Sequence, residues 1–138
     1  MSLFKIFDIA GSGMSAQSLR LNTTASNISN AESVSSSEDQ TYRARHPVFS
    51  ALYDEFASDD TASVGVSVGG IVESQAPLRA KYHPEHPMAN EDGYVFLPNV
   101  NAVEEMANMI SASRSFQSNV EIMNTSKQLL MRTLSLGE

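Results

Sequence analysis

Asn101-Ala-Val-Glu-Glu-Met-Ala-Asn-Met-Ile110, continuing as Ser111-Ala-Ser-Arg-Ser-Phe-Gln-Ser-Asn-Val120 and on to Gly137, is the best-patterned stretch of the chain. Alternating steps of three and four pick out Met106, Met109, Ser113, Phe116, Val120, Met123, Lys127, Leu130 and Leu134, and seven of these nine are apolar. That is one stripe of a helix at coiled-coil spacing. Pro98 closes the preceding element, and Asn101, three residues before Glu104, resembles a capping box. Acids in the first turn (Glu104, Glu105) and bases later (Lys127, Arg132) complement the helix dipole, with Gly137 as the stop. A helix of about 36 residues is roughly 54 Å long, too long for a compact small globule and suited to a coiled-coil arm.

The other end of the chain has a matching stripe. Phe7, Ala10, Met14, Gln17, Leu21, Thr24 and Ile28 follow the same spacing, and five of the seven are apolar or small. Intrinsic propensity opposes this helix. Gly11 and Gly13 each cost about 1 kcal/mol relative to Ala, and Asn22-Thr-Thr-Ala-Ser-Asn-Ile-Ser-Asn30 is rich in side chains that compete for backbone hydrogen bonds. Such a helix gains its order from packing rather than from itself.

Between these segments the pattern changes. Ser33 to Gln40 reads as a polar loop, and Tyr42 to Phe49 alternates loosely, as a strand does. Val64-Gly-Val-Ser-Val68 alternates cleanly before a turn or bulge at Gly69-Gly70, and Asp92-Gly93 is a turn ahead of the strand-like Tyr94-Val-Phe-Leu97. Pro84 and Pro87 exclude regular pairing across 83–88. The expected fold is α+β. Residues 1–31 and 100–138 pair as a coiled coil, and residues 32–99 form a small antiparallel β-rich part.

Composition narrows the function. A net charge of −7 with scattered Lys and Arg argues against nucleic acid and against an anionic membrane surface. No run approaches the roughly 18 apolar residues of a membrane span, so no direct membrane insertion is expected. The N-terminus lacks the basic start and unbroken apolar block of a cleavable signal peptide. The absence of Cys removes thiolate metal sites and Cys nucleophiles. His83-Pro-Glu-His86 is the one local cluster with metal-ligand chemistry, but its prolines oppose a helix and no third ligand stands at a recognisable spacing. Glu104 and Glu105 point about 100° apart on a helix and do not converge on a substrate. No catalytic residue, metal or cofactor is expected.

Leu19-Arg-Leu-Asn-Thr-Thr-Ala-Ser-Asn-Ile-Ser-Asn-Ala31 resembles the N-terminal signature of bacterial flagellar rod and hook proteins, roughly Leu-x-x-x-Ala-x-Asn-Ile-Ala-Asn. Leu21, Ala25, Asn27, Ile28 and Asn30 match it, and Ser29 replaces the usual Ala. Asp92 to Asn101 and Val103 to Arg114 are similar to the C-terminal half of a rod member of that family. Ser115-Phe-Gln-Ser-Asn119 stands where the family has Ala-Tyr-Gln-Ala-Asn, and Asn124 to Lys127 and Thr133 to Gly137 continue the likeness. Only about residues 32–41 and 54–63 fall outside it.

The resemblance implies a structural subunit of the proximal rod, a drive shaft crossing the periplasm that transmits torque and walls the export channel. It implies export through the flagellar type III apparatus without a cleaved signal peptide. It also implies an inner layer of terminal helices and an outer β-rich part. The implied partners are copies of itself, other rod proteins, the adaptor joining rod to membrane ring, and the export apparatus. The expected assembly contacts are Phe7, Met14, Leu21, Ile28, Met106, Met109, Phe116, Val120, Met123, Leu130 and Leu134. Asn27, Asn30, Asn119 and Asn124 are expected to set register, because buried amides require matched partners. The alternative is a soluble helical adaptor or chaperone-like module that uses the Met-rich helix as a groove.

Overall fold

The computed structural model describes residues 3–52 and 64–135. The stop at Gly137 and the segment 54–63 lie outside the described residues. The chain runs α1 (Leu3–Asn30), a 3-10 turn (Glu38–Gln40), β1 (Arg45–Leu52), β2 (Gly65–Glu73), β3 (Arg79–Tyr82), β4 (Tyr94–Leu97) and α2 (Ala102–Ser135). This is the α+β class that the patterning implies. With 34 residues, α2 is about 51 Å long. Asn101 caps it: its side-chain oxygen accepts from the Val103 and Glu104 amides at 3.2 and 3.4 Å.

α1 and α2 pack antiparallel. Asn27 near the end of α1 meets Glu105 near the start of α2, and Gly13 meets Asn119. Both contacts are spaced two heptads apart on each helix, so one register covers the seam. The two glycines that lower the propensity of α1 have different roles. A Cβ at Gly13 would stand 2.9 Å from Asn119 Nδ2, whereas a Cβ at Gly11 would meet nothing within 4 Å. Gly11→Ala is therefore expected to raise stability by about 1 kcal/mol, while Gly13→Ala gains less because the Asn119 amide has to turn away. Thermal unfolding of the two variants checks the difference.

The β part consists of two antiparallel pairs, β1–β2 and β3–β4. The long ribbon β1–β2 has a register shift between Val48 and Phe49, opposite Gly70 at φ +145°, where the sequence signals a bulge. It lies along α1 and is fastened at both ends. The Arg45 backbone binds Asn27, and the Val66 amide donates to Ser12 Oγ at 3.1 Å. In the second pair Tyr82 stacks edge-on against Tyr94 at 5.2 Å. Gly93, immediately before β4, has φ +81°, and a Cβ there would fall 2.9 Å from the Tyr82 ring. The residue is fixed by conformation and by space together.

Two local readings differ from the sequence expectations. β3 carries no clear alternation, and its four residues are all exposed. Ser33–Gln40, expected as a polar loop, is pinned at Ser35, whose amide and carbonyl pair with Phe96 at 3.0 and 2.9 Å. Backbone pairing of this kind leaves no hydrophobic signature to read.

The described core is made of small side chains: Ala10, Ala16, Ala31, Ala44, Val95, Val100 and Ala112. Its two largest fully buried residues are Asn27 and Pro98. Large apolar residues lie outside, among them Phe4, Leu52, Ile71, Val103, Met106, Ile110 and Leu134. Hydrophobic burial within one copy is correspondingly modest.

Candidate assembly interface

The face of α2 turned to α1 is a heptad stripe. Glu105, Ala112 and Ser126 are buried at 4%, 0% and 5% exposure, and Asn119 is half-buried at the same seven-residue spacing. Met109, Phe116, Met123 and Leu130 line one side of this stripe, each half-buried. The apolar template from sequence thus holds at every second position and is one residue off at the others. Met106, Lys127 and Leu134 lie outside the intramolecular seam and are exposed, while Ser113 and Val120 sit half-buried on its flank. The physical reason is the close approach of the two helices. Small residues let the axes come near, and large ones flank the contact. Arg20 adds a bond across the seam, its guanidinium donating to Asn108 Oδ1 at 3.0 Å.

Asn27 is the centre of the arrangement and has no exposed surface. Its Nδ2 donates to the Arg45 carbonyl at 2.8 Å and to Glu105 Oε2 at 3.0 Å. Its Oδ1 accepts from the Tyr42 hydroxyl at 2.8 Å and from the Arg45 amide at 2.9 Å. All four hydrogen-bonding positions of the amide are used, so it is a fully satisfied buried polar group. One side chain thereby joins α1, the start of β1, the Tyr42 loop and α2. A second amide acts in the same way at the base of the sheets. Asn99 accepts from the Ala44 amide at 2.8 Å and donates to the Ser74 and Ala76 carbonyls at 3.2 and 2.8 Å.

The other expected residues are placed as follows. Phe7, Met14, Leu21 and Ile28 are half-buried on α1. Asn30, at the end of α1, donates to the Ser26 carbonyl of its own helix at 2.9 Å. Asn124 is exposed. Asn119 packs on Gly13.

The residues that an apolar reading passes over are Glu105, Ala112, Ser126, Tyr42, Arg45 and Asn99. Glu105, expected only as a partner of the helix dipole, is a buried acceptor for Asn27. A signal for it was present in the seven-residue recurrence Glu105, Ala112, Asn119, Ser126, which faces the close approach allowed by Gly13. Among the described residues, no three His, Asp or Glu side chains are grouped to hold a metal ion.

Comparison with known proteins agrees with this geometry. The family described as flagella basal body rod protein matches residues 7–34, and the C-terminal region of the flagellar basal body rod FlgEFG proteins matches residues 91–136. These matched segments contain most of α1 and all of α2. The flagellar basal-body rod protein FlgC of Salmonella typhimurium is 49% identical over 138 residues, covering the whole of both chains. That of Buchnera aphidicola from Schizaphis graminum is 42% identical over the full length of both. That of Borreliella burgdorferi is 34% identical, covering 99% of this chain and 98% of its own. The adaptor reading draws no support from these relatives. With full-length identity this high and a helix pair framed by both matched segments, the chain belongs to the FlgC family of flagellar basal-body rod proteins, which are structural subunits and not enzymes.

Proposed function

We propose that the chain builds the proximal rod by stacking helically with copies of itself and with other rod proteins through α1 and α2. In this reading residues 1–31 and 100–138 form the axial core and wall the export channel, and residues 32–99 form the outer part that carries torque along the shaft. The observation that supports it most is the inversion of the usual burial pattern. Small residues fill the described interior, while Phe4, Val103, Met106, Ile110 and Leu134 face outward. An exposed apolar surface on this scale marks contacts with other chains.

Within the assembly, Asn27 and Asn119 set the register of the helix pair. Phe7, Met14, Leu21, Ile28, Met109, Phe116, Val120, Met123 and Leu130 line or flank the seam. Met106, Leu134 and Asn124 meet neighbours, and Asn30 stands at the outer end of α1. The remaining partners are the adaptor that joins rod to membrane ring and the type III export apparatus, with the finished subunit in the periplasmic span. None of the described helices is long and apolar enough to cross a membrane.

Electron microscopy of basal bodies from cells lacking the gene, beside a complemented control, tests the reading. Membrane rings without a rod, restored by the intact gene, are expected. Complete rods and hooks in the deletion strain would overturn it.

A further inference from the structure

Asp92-Gly93 is the one place in the chain where a glycine follows an acid or an amide. That pairing has a chemistry of its own. A glycine nitrogen, with no side chain beside it to hinder approach, can attack the side-chain carboxyl of the preceding residue. The bond from Gly93 N to Asp92 Cγ forms and the Cγ–OH bond breaks; the hydroxyl leaves as water with the Gly93 amide proton. Water then reopens the five-membered imide. Addition at the side-chain carbonyl restores the aspartate. Addition at the main-chain carbonyl leaves the backbone running through Cβ and Cγ, one carbon longer. Neither step calls for an oxidant or a cofactor.

The fold treats the two reacting groups differently. Asp92 is exposed, whereas Gly93 is buried. The Gly93 amide donates to the Asn90 carbonyl at 2.9 Å, and its carbonyl accepts from the His83 amide at 2.8 Å. Asn90 Oδ1 accepts from the Asp92 amide at 3.1 Å and from the Tyr94 amide at 2.8 Å. The Asn90 amide in turn donates to the Tyr94 carbonyl at 2.9 Å. Closing the imide takes the Gly93 proton from Asn90 and swings the Asp92–Gly93 peptide out of this set of bonds. There is little room for that swing, since a Cβ on Gly93 would stand 2.9 Å from the Tyr82 ring and 3.1 Å from Pro84. The carboxyl is free and the nucleophile is locked.

We infer that Asp92-Gly93 is a site of aspartate isomerisation, closed by the Asn90 turn in the folded chain and open whenever that turn opens. The product does not fit the turn it came from. One extra carbon separates the Asp92 and Gly93 amides, so Asn90 cannot hold both through its side chain and its carbonyl. β4 begins at the next residue, its Val95 is buried, and its Phe96 pairs with Ser35. An isomerised chain therefore loses the start of β4. The time that a chain spends unfolded sets the share of copies with a damaged sheet.

The test uses the purified full-length chain, kept at one temperature and pH in native buffer and in guanidinium chloride. Digestion and electron-transfer fragmentation distinguish aspartate from isoaspartate at position 92. The isomer is expected to accumulate at least about tenfold more slowly in native buffer, the ratio reporting how seldom the turn opens. Asn90→Ala removes the shared acceptor and should raise the native rate at least about threefold. Asn90→Asp keeps an oxygen in the same place and should stay within about twofold of the unaltered chain. Circular dichroism verifies that each variant is folded. Should Asn90→Ala fail to fold, hydrogen exchange at the Gly93 amide of the unaltered chain decides instead, and protection by about the same factor as the slowed isomerisation is expected. Equal rates in the native and denatured chain would overturn the inference. So would an unchanged rate in folded Asn90→Ala, or unprotected exchange at Gly93. Isomerised chain that refolds with an unaltered spectrum and melting temperature would remove the damage assigned to β4.

Discussion

Asn27→Ala is expected to lower the stability of the purified chain by about 3–5 kcal/mol, read as a fall in the urea midpoint. The substitution deletes four hydrogen bonds at once. It leaves the Arg45 amide and carbonyl and the buried Glu105 carboxylate without their partner, and the Tyr42 hydroxyl with Ser26 Oγ alone, around a side chain that has no exposed surface. Each buried polar group left unmatched costs about 1–3 kcal/mol, with the sum reduced by local relaxation. A domain of this size has only about 5–15 kcal/mol in total, so cooperative unfolding should be largely lost. Asn27→Asp keeps the shape but sets a second carboxyl oxygen against Glu105 Oε2 and the Arg45 carbonyl. It should be as damaging, and Glu105→Gln should recover part of the loss. A change below about 1 kcal/mol in Asn27→Ala would mean that the four bonds contribute little net stability.

Ala112→Leu has the second large effect, about 3 kcal/mol, at the upper end of the range for overpacking. Ala112 has no exposed surface and stands one heptad from Glu105. The added carbons can be housed only by moving the helices apart, which stretches the Asn27–Glu105 bond as well. Ile110→Asp, two residues away but facing outward, should alter thermal stability by less than about 0.5 kcal/mol while abolishing recovery of the protein in basal bodies. Thermal unfolding with immunoblots of purified basal bodies separates the two effects. An Ala112→Leu variant with wild-type stability would show that the helices are not in close contact at this point.

What could be read from the sequence follows from which forces leave a periodic trace. Helix existence and the Asn101 cap were legible because Asn101, Glu104 and the three–four spacing of apolar residues act locally. The bulge near Gly70 and the turn at Gly93 were legible because positive φ favours glycine. The seam was half legible. Met109, Phe116, Met123 and Leu130 have the expected character, but Ala112, Ser126 and Glu105 do not, since a close helix contact selects for size rather than hydrophobicity. Asn27 stood out through the family signature and the argument about matched amides, yet its partners did not. Tyr42, Arg45 and Glu105 are brought to it by tertiary folding across sequence separations of up to 78 positions, and two of its four bonds use backbone groups that every residue carries.

The ribbon β1–β2 touches α1 through hydrogen bonds at two points, Asn27 with Arg45 and Ser12 with Val66, fifteen residues or about 22 Å apart along the helix. A bar held at one pivot swings freely; held at two, it resists bending and turning in their plane. The outer ribbon is therefore braced like a strut on a beam, and a sideways push on it becomes a couple applied to α1 rather than a hinge motion. Cutting the Ser12 pin alone would leave the fold standing and free the brace to rotate about Asn27.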